Sequence, residues 1–163
     1  MRALAALAAV LLFPAPVLAG KKECVEHGER LYAAQPAPVD VQQAFRHCRP
    51  LAEAGDGEAQ YYFASVHMFR TISQPPANPV VEKWMKLSAG NGYGKAQLYM
   101  ATVYRFGNAL TARDAAKMME MYEKAAAQGV LPAMQALAEL YREKDPAKAD
   151  YWKARLEGRA CCR

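Results

Sequence analysis

Gly55, Gly92 and Gly129 stand 37 residues apart, and the residues behind them keep the same register. Ala59, Ala96 and Ala133 repeat at that spacing, as do Ala64, Ala101 and Ala138, and the larger His67, Tyr104 and Tyr141. The copies read Ala-Gly-Asp-Gly-Glu-Ala-Gln-Tyr-Tyr-Phe-Ala from Ala54, Gly-Tyr-Gly-Lys-Ala-Gln-Leu-Tyr-Met-Ala from Gly92, and Gly-Val-Leu-Pro-Ala-Met-Gln-Ala-Leu-Ala from Gly129. A fixed period in this range belongs to stacked helical hairpins, each of which buries its apolar face only against its neighbours. Such a chain is confined to a quasi-linear stack.

Within each copy the apolar positions have helical spacing. Ala59, Phe63, Ala64 and His67 fall at i, i+4, i+5 and i+8, one face of a helix. Ala96, Met100, Ala101 and Tyr104 repeat the pattern, and so do Ala133, Leu137, Ala138 and Tyr141. A second helix follows in each unit, over residues 79–88 and 112–127. Its apolar positions are Val81, Trp84 and Met85 in one copy and Met118, Met121, Tyr122 and Ala125 in the next. The glycines supply the positive φ that ends a helix at little cost. Outward, residues 39–54 read as a second helix, with Asp40 aligned to Asp114 at twice the period and Pro50 expected to distort its end. Residues 23–34 are its first-helix partner, joined through 35–38. Asp145-Pro146 opens a last second helix over 146–156. The expected fold is all-α, a short right-handed α-solenoid of eight helices in four hairpins. Residues 70–78, containing Pro75-Pro76, are the one long irregular connection.

The N-terminus follows different rules. Met1-Arg2 is a short basic stretch, Ala3 to Phe13 is continuously apolar, Pro14 and Pro16 interrupt it, and Val17-Leu18-Ala19 precedes Gly20. That is the layout of a secretory signal peptide over 1–19, leaving a mature domain over 20–163. No later stretch has the apolar length a membrane span needs, so a periplasmic or secreted protein is expected, with no stable span after cleavage. The chain carries 21 Lys+Arg against 16 Asp+Glu, a net charge of +5. This basicity is spread thinly with no block of like charge, so it gives nucleic-acid binding no support.

These residues carry a resemblance. Lys124-Ala125-Ala126-Ala127-Gln128-Gly129, followed by Ala133, Leu137-Ala138 and Tyr141, resembles the Sel-one-like repeat (SLR), a relative of the tetratricopeptide repeat. Ala52-Glu53-Ala54-Gly55 with Glu58-Ala59-Gln60-Tyr61, and Gly92 with Lys95-Ala96-Gln97, match the same stretch. Ala147-Lys148-Ala149 with Trp152 is similar to the family's second helix, whose pattern is degraded at Glu82-Lys83-Trp84 and at Ala116-Lys117 with Met121. The resemblance implies an adaptor that holds a protein partner, here one in the cell envelope. It also implies an alternative, a secreted protein that binds cell-wall fragments or β-lactams with weak hydrolase activity. If tetratricopeptide geometry carries over, the concave face is lined by Tyr61, Ser65 and Met68, then Leu98, Thr102 and Arg105, then Gln135, Glu139 and Arg142.

Cysteines and histidines complete the survey. Cys24 and Cys48 lie symmetrically about Pro36, in the turn between the first two helices, which puts them at one height in an antiparallel hairpin. In an exported chain they are expected to form a disulfide. Cys161-Cys162 is adjacent and terminal; free thiols, pairing with another chain and pairing with Cys24 or Cys48 all stay open. The short Cys-x-x-Cys pairs of zinc sites are absent. Met118, Met119 and Met121, with His67-Met68, offer soft ligands, but gap filling in a helical core is their commoner use. No Gly-x-Ser-x-Gly, Ser-x-x-Lys, phosphate loop or His-Glu-x-x-His occurs, and His27, His47 and His67 stand apart. The expectation is a non-enzymatic module with no cofactor and no metal.

Overall fold

The computed structural model describes residues 15–33, 37–70 and 78–160. Eight helices follow in order: α1 (Ala15–Arg30), α2 (Pro38–Glu53), α3 (Gly57–Arg70), α4 (Pro79–Gly90), α5 (Gly94–Phe106), α6 (Ala115–Ala127), α7 (Leu131–Tyr141) and α8 (Pro146–Ala160). Among the described residues there is no strand. The helices pair as α1–α2, α3–α4, α5–α6 and α7–α8, and the second helix of each hairpin packs on the first helix of the next. The stack is the all-α solenoid that the period demands.

Each repeat glycine closes a helix in the same way. Gly92, at φ 88°, donates its N–H to Ala89 O at 3.1 Å, while Tyr93 N–H donates to Ser88 O at 3.0 Å. These two bonds satisfy carbonyls that the last turn of α4 would otherwise leave open. Gly55 and Gly129 repeat the arrangement at φ 95° and 84°. The alanine columns at 59, 96 and 133 and at 64, 101 and 138 are buried, and so are Phe63, Met100 and Leu137 beside them. Small residues let the helices approach and the larger ones fill the remaining space. Met118, Met119 and Met121 pack against the core shared by the last two hairpins.

A polar ladder recurs at the same period and joins one hairpin to the next. Gln60 Nε2 donates to Ala52 O at 3.1 Å and Gln60 Oε1 accepts from Asn91 Nδ2 at 2.8 Å. Thirty-seven residues on, Gln97 Nε2 donates to Ala89 O at 3.2 Å and Gln97 Oε1 accepts from Gln128 Nε2 at 2.7 Å. Both glutamines are buried, so their amides are satisfied inside the protein. The third copy has Met134 at this position, also buried, and fills the space with apolar volume instead.

Several boundaries differ from the sequence reading. α1 begins at Ala15 and ends at Arg30, about a turn short of the expected end. Pro16 lies in its first turn, where a missing N–H costs nothing. α2 runs unbroken through Pro50, whose ring lies on the exposed side. Pro38 starts that helix, so Asp40 sits within its first turn and binds His27 Nδ1 at 2.9 Å, whereas the aligned Asp114 caps α6 by accepting from Lys117 N–H at 3.0 Å. α6 accordingly starts at Ala115 rather than 112. Cys24 and Cys48 form the expected disulfide, with Cα atoms 4.7 Å apart and both side chains fully buried. Cys161, Cys162 and residues 71–77 lie outside the described residues.

Candidate partner-binding face

The nine residues expected to line one face are carried by α3, α5 and α7, the first helices of the last three hairpins. Gln135 and Glu139 on α7 and Arg142 at its C-terminal cap are all exposed. On α5, Thr102 is exposed, while Leu98 and Arg105 are half-buried. The Arg105 guanidinium lies over the ring of Phe106, 5.3 Å from its centroid. Phe106 is 60% exposed, an unusual position for a phenylalanine. Among the described residues, neither Arg105 nor Arg142 has a carboxylate within ion-pair distance.

The α3 end of the stripe is different. Tyr61 and Met68 are half-buried and Ser65 is fully buried, so Ser65 offers nothing to a partner. Tyr32, just past the end of α1, lies over this end. Ser65 Oγ donates to Tyr61 O at 2.8 Å and is 2.7 Å from the Tyr32 hydroxyl, which donates to it. The Tyr32 ring stacks on Tyr61 at 6.1 Å and meets Phe69 edge-on at 5.6 Å. Burial, with the Tyr32 hydroxyl beside it, pushes the Tyr61 phenol well above its ordinary pKa. Tyr32, Phe69 and Phe106 form a column at the 37-residue spacing. Reading only the alanine and glycine columns misses it, although the same period would have found it.

Neighbouring residues fix the first helices. Tyr62 is buried; its hydroxyl donates to Glu29 Oε1 at 3.4 Å and accepts from Lys95 Nζ at 3.5 Å. Tyr93 donates to Glu58 at 3.4 Å, and its pKa is pushed up to about 12, chiefly by burial. His67, in the column shared with Tyr104 and Tyr141, lies edge-on to Phe63 at 4.8 Å, and burial then Arg70 lower its pKa. Among the described residues, no group of three His, Cys, Asp or Glu side chains is placed to hold a metal ion. The face combines apolar rings, hydroxyls and guanidinium groups, the chemical types that can take part in stacking and charged hydrogen bonds.

Fold and face together define a helical-repeat module. The solved structures it resembles are SLR proteins, and the chain has the SLR fold. A protective antigen present in uropathogenic Escherichia coli strains, displaying an SLR fold, superposes with a TM-score of 0.67 at 20% identity, over 87% of this chain and 31% of the antigen. A Sel1 repeat protein from Oxalobacter formigenes superposes with a TM-score of 0.68 at 21% identity, over 87% of this chain and 44% of its own. The chain thus spans less than half the length of either neighbour. No protein-family model and no curated protein sequence matches it.

Proposed function

We propose that this chain is an exported, non-enzymatic binding module of the cell envelope that holds a protein partner on the face formed by α5 and α7, continued by Tyr61 and Met68 of α3. The observation that carries the reading is the stripe of exposed Thr102, Gln135, Glu139 and Arg142 with half-buried Arg105. Among the described residues, none of these side chains makes a hydrogen bond or ion pair to another hairpin; Thr102 bonds Leu98 O and Arg105 lies over Phe106, both within α5. Repeat arrays present such stripes on an extended curved surface. Export is supported by the leader-like residues 1–19, by the buried Cys24–Cys48 bridge, which persists in an oxidising compartment, and by the absence among described residues of a helix long and apolar enough to cross a membrane.

The double variant Arg105→Glu/Arg142→Glu tests the face. Pull-downs from envelope extract should lose the partner recovered by the wild-type chain, while circular dichroism and the melting temperature stay the same, because neither residue is fully buried. Recovery of the same partner in the same amount by the variant sinks the assignment.

A further inference from the structure

The repeat supplies an internal control for every surface. On the solvent side of α6 the stripe is Lys117, Glu120 and Lys124, all exposed. One period earlier, on α4, the same positions hold Val80, Lys83 and Leu87, with Val80 41% and Leu87 42% exposed. On α2 they hold Gln43, Arg46 and Pro50. Among the described residues, only α4 sets two large aliphatic side chains on this stripe. Beside them Leu110, from the connection between α5 and α6, is 46% exposed. Pro79, Leu87 and Leu110 line an open cleft of about 470 Å³, with Lys83 and Lys86 at its edge.

The wall that carries Leu110 is held in place by a buried carboxylate. Glu82 accepts from Lys86 Nζ at 2.7 Å, from Asn108 Nδ2 at 3.0 Å and from the Thr111 hydroxyl. Asn108 Oδ1 in turn accepts from the N–H groups of Leu110 and Thr111 at 2.8 and 2.7 Å. Burial pushes the Glu82 carboxyl up, and the bonds from Lys86, Thr111 and Asn108 more than offset it, leaving it below the ordinary range. This network holds an aliphatic side chain in water. An isolated exposed leucine needs no explanation, but here Leu87 and Leu110 lie together with Pro79 along one cleft.

Charge selects the occupant. Glu82, the one carboxylate among the residues lining the cleft, is already engaged in the network with Lys86. Among the described residues Lys83, which lines the cleft, has no carboxylate within ion-pair distance and lies over Trp84 at 5.6 Å. The rim is therefore positive and the floor apolar. We propose that this cleft, on the second-helix side and separate from the α5–α7 face, docks an acidic peptide segment of another protein, with a bulky aliphatic side chain against Leu87 and Leu110 and a carboxylate on Lys83.

The probe is a fluorescein-labelled synthetic dodecapeptide of glutamates with two leucines one helical turn apart. Two controls replace its leucines with serine or its glutamates with lysine. On the intact protein, the probe should shift amide resonances of residues 79–87 and 107–113. Leu87→Ser/Leu110→Ser and Lys83→Glu should each weaken it at least about fivefold, the scale of one partly buried aliphatic contact or one lost charge pair. All three positions are exposed, so the melting temperature should hold. Unshifted resonances at millimolar probe, equal binding of either control, or capture by phosphatidylglycerol vesicles in place of the peptide overturns the proposal. A failure here leaves the α5–α7 face untouched, because the two surfaces use different helices.

Discussion

Replacing Cys24 and Cys48 together by alanine is expected to lower the stability of the oxidised protein by roughly 3 kcal/mol, the chain-entropy value for a loop of about 25 residues. Both sulfurs are fully buried between α1 and α2, so the bridge also contributes packed volume. The effect should be local. A terminal hairpin has a neighbour on one side only, and it opens before the centre of the stack. Hydrogen exchange in residues 23–50 should rise sharply in the variant while 94–140 stay nearly unchanged. Equal acceleration across the stack would mean that the four hairpins open as one unit. An unchanged melting temperature would mean that the bridge does not constrain the unfolded chain.

Gly28→Ala should destabilise the protein by about 1–3 kcal/mol, the cost of overfilling a packed site. On propensity alone the sign would be opposite, since alanine inside a helix is favoured over glycine by roughly 0.5–1 kcal/mol. Contact decides against propensity. A Cβ at position 28 would lie 2.4 Å from both Cγ and Cδ1 of Tyr62. Tyr62 is itself buried and its hydroxyl is held between Glu29 and Lys95, so the ring has nowhere to retreat. Gly158→Ala in α8 is the matched control, because nothing lies within 4 Å of its added Cβ. Thermal melts should separate the two variants, with only Gly28→Ala lowered. If Gly28→Ala melts as high as the wild type, α1 does not sit against Tyr62 as described.

The period made most of the fold legible, because residues that recur at a fixed spacing must sit in equivalent surroundings. The alanine columns, the closing glycines and the core positions of Phe63, Met100 and Leu137 all followed from it. Helix starts were less legible where the first residue is set by a cap rather than by the repeat. Asp114 and Asp40 align by number, yet one caps a helix and the other sits inside one, because Pro38 begins α2 earlier. The buried Gln60 and Gln97 went unread, since a polar side chain shows no preference for the interior until its hydrogen-bond partners are in view.

The candidate face was legible in outline. Tetratricopeptide geometry, carried over from the resemblance, put Thr102, Arg105, Gln135, Glu139 and Arg142 on one face, and all of them are at least partly exposed. It did not anticipate Ser65, which is buried because Tyr32 reaches over from the adjacent hairpin and hydrogen-bonds it. Closure of that kind depends on the path of the chain after α1, which no single-column reading contains. The aliphatic residues of α4 were equally hidden, because Val80 and Leu87 look like ordinary helix residues until the matching Lys117 and Lys124 are set beside them.

Site-specific photocrosslinking separates the two sides of the stack in the envelope itself. A benzoylphenylalanine at position 102 replaces an exposed residue in the middle of the proposed face, and one at 120 replaces an exposed residue on the opposite, second-helix side of the same hairpin. Irradiation should join the chain to one discrete partner from position 102, and that partner should be absent from any adduct at position 120. Adducts from 120 with none from 102 would contradict the assignment of the first-helix face as the binding surface.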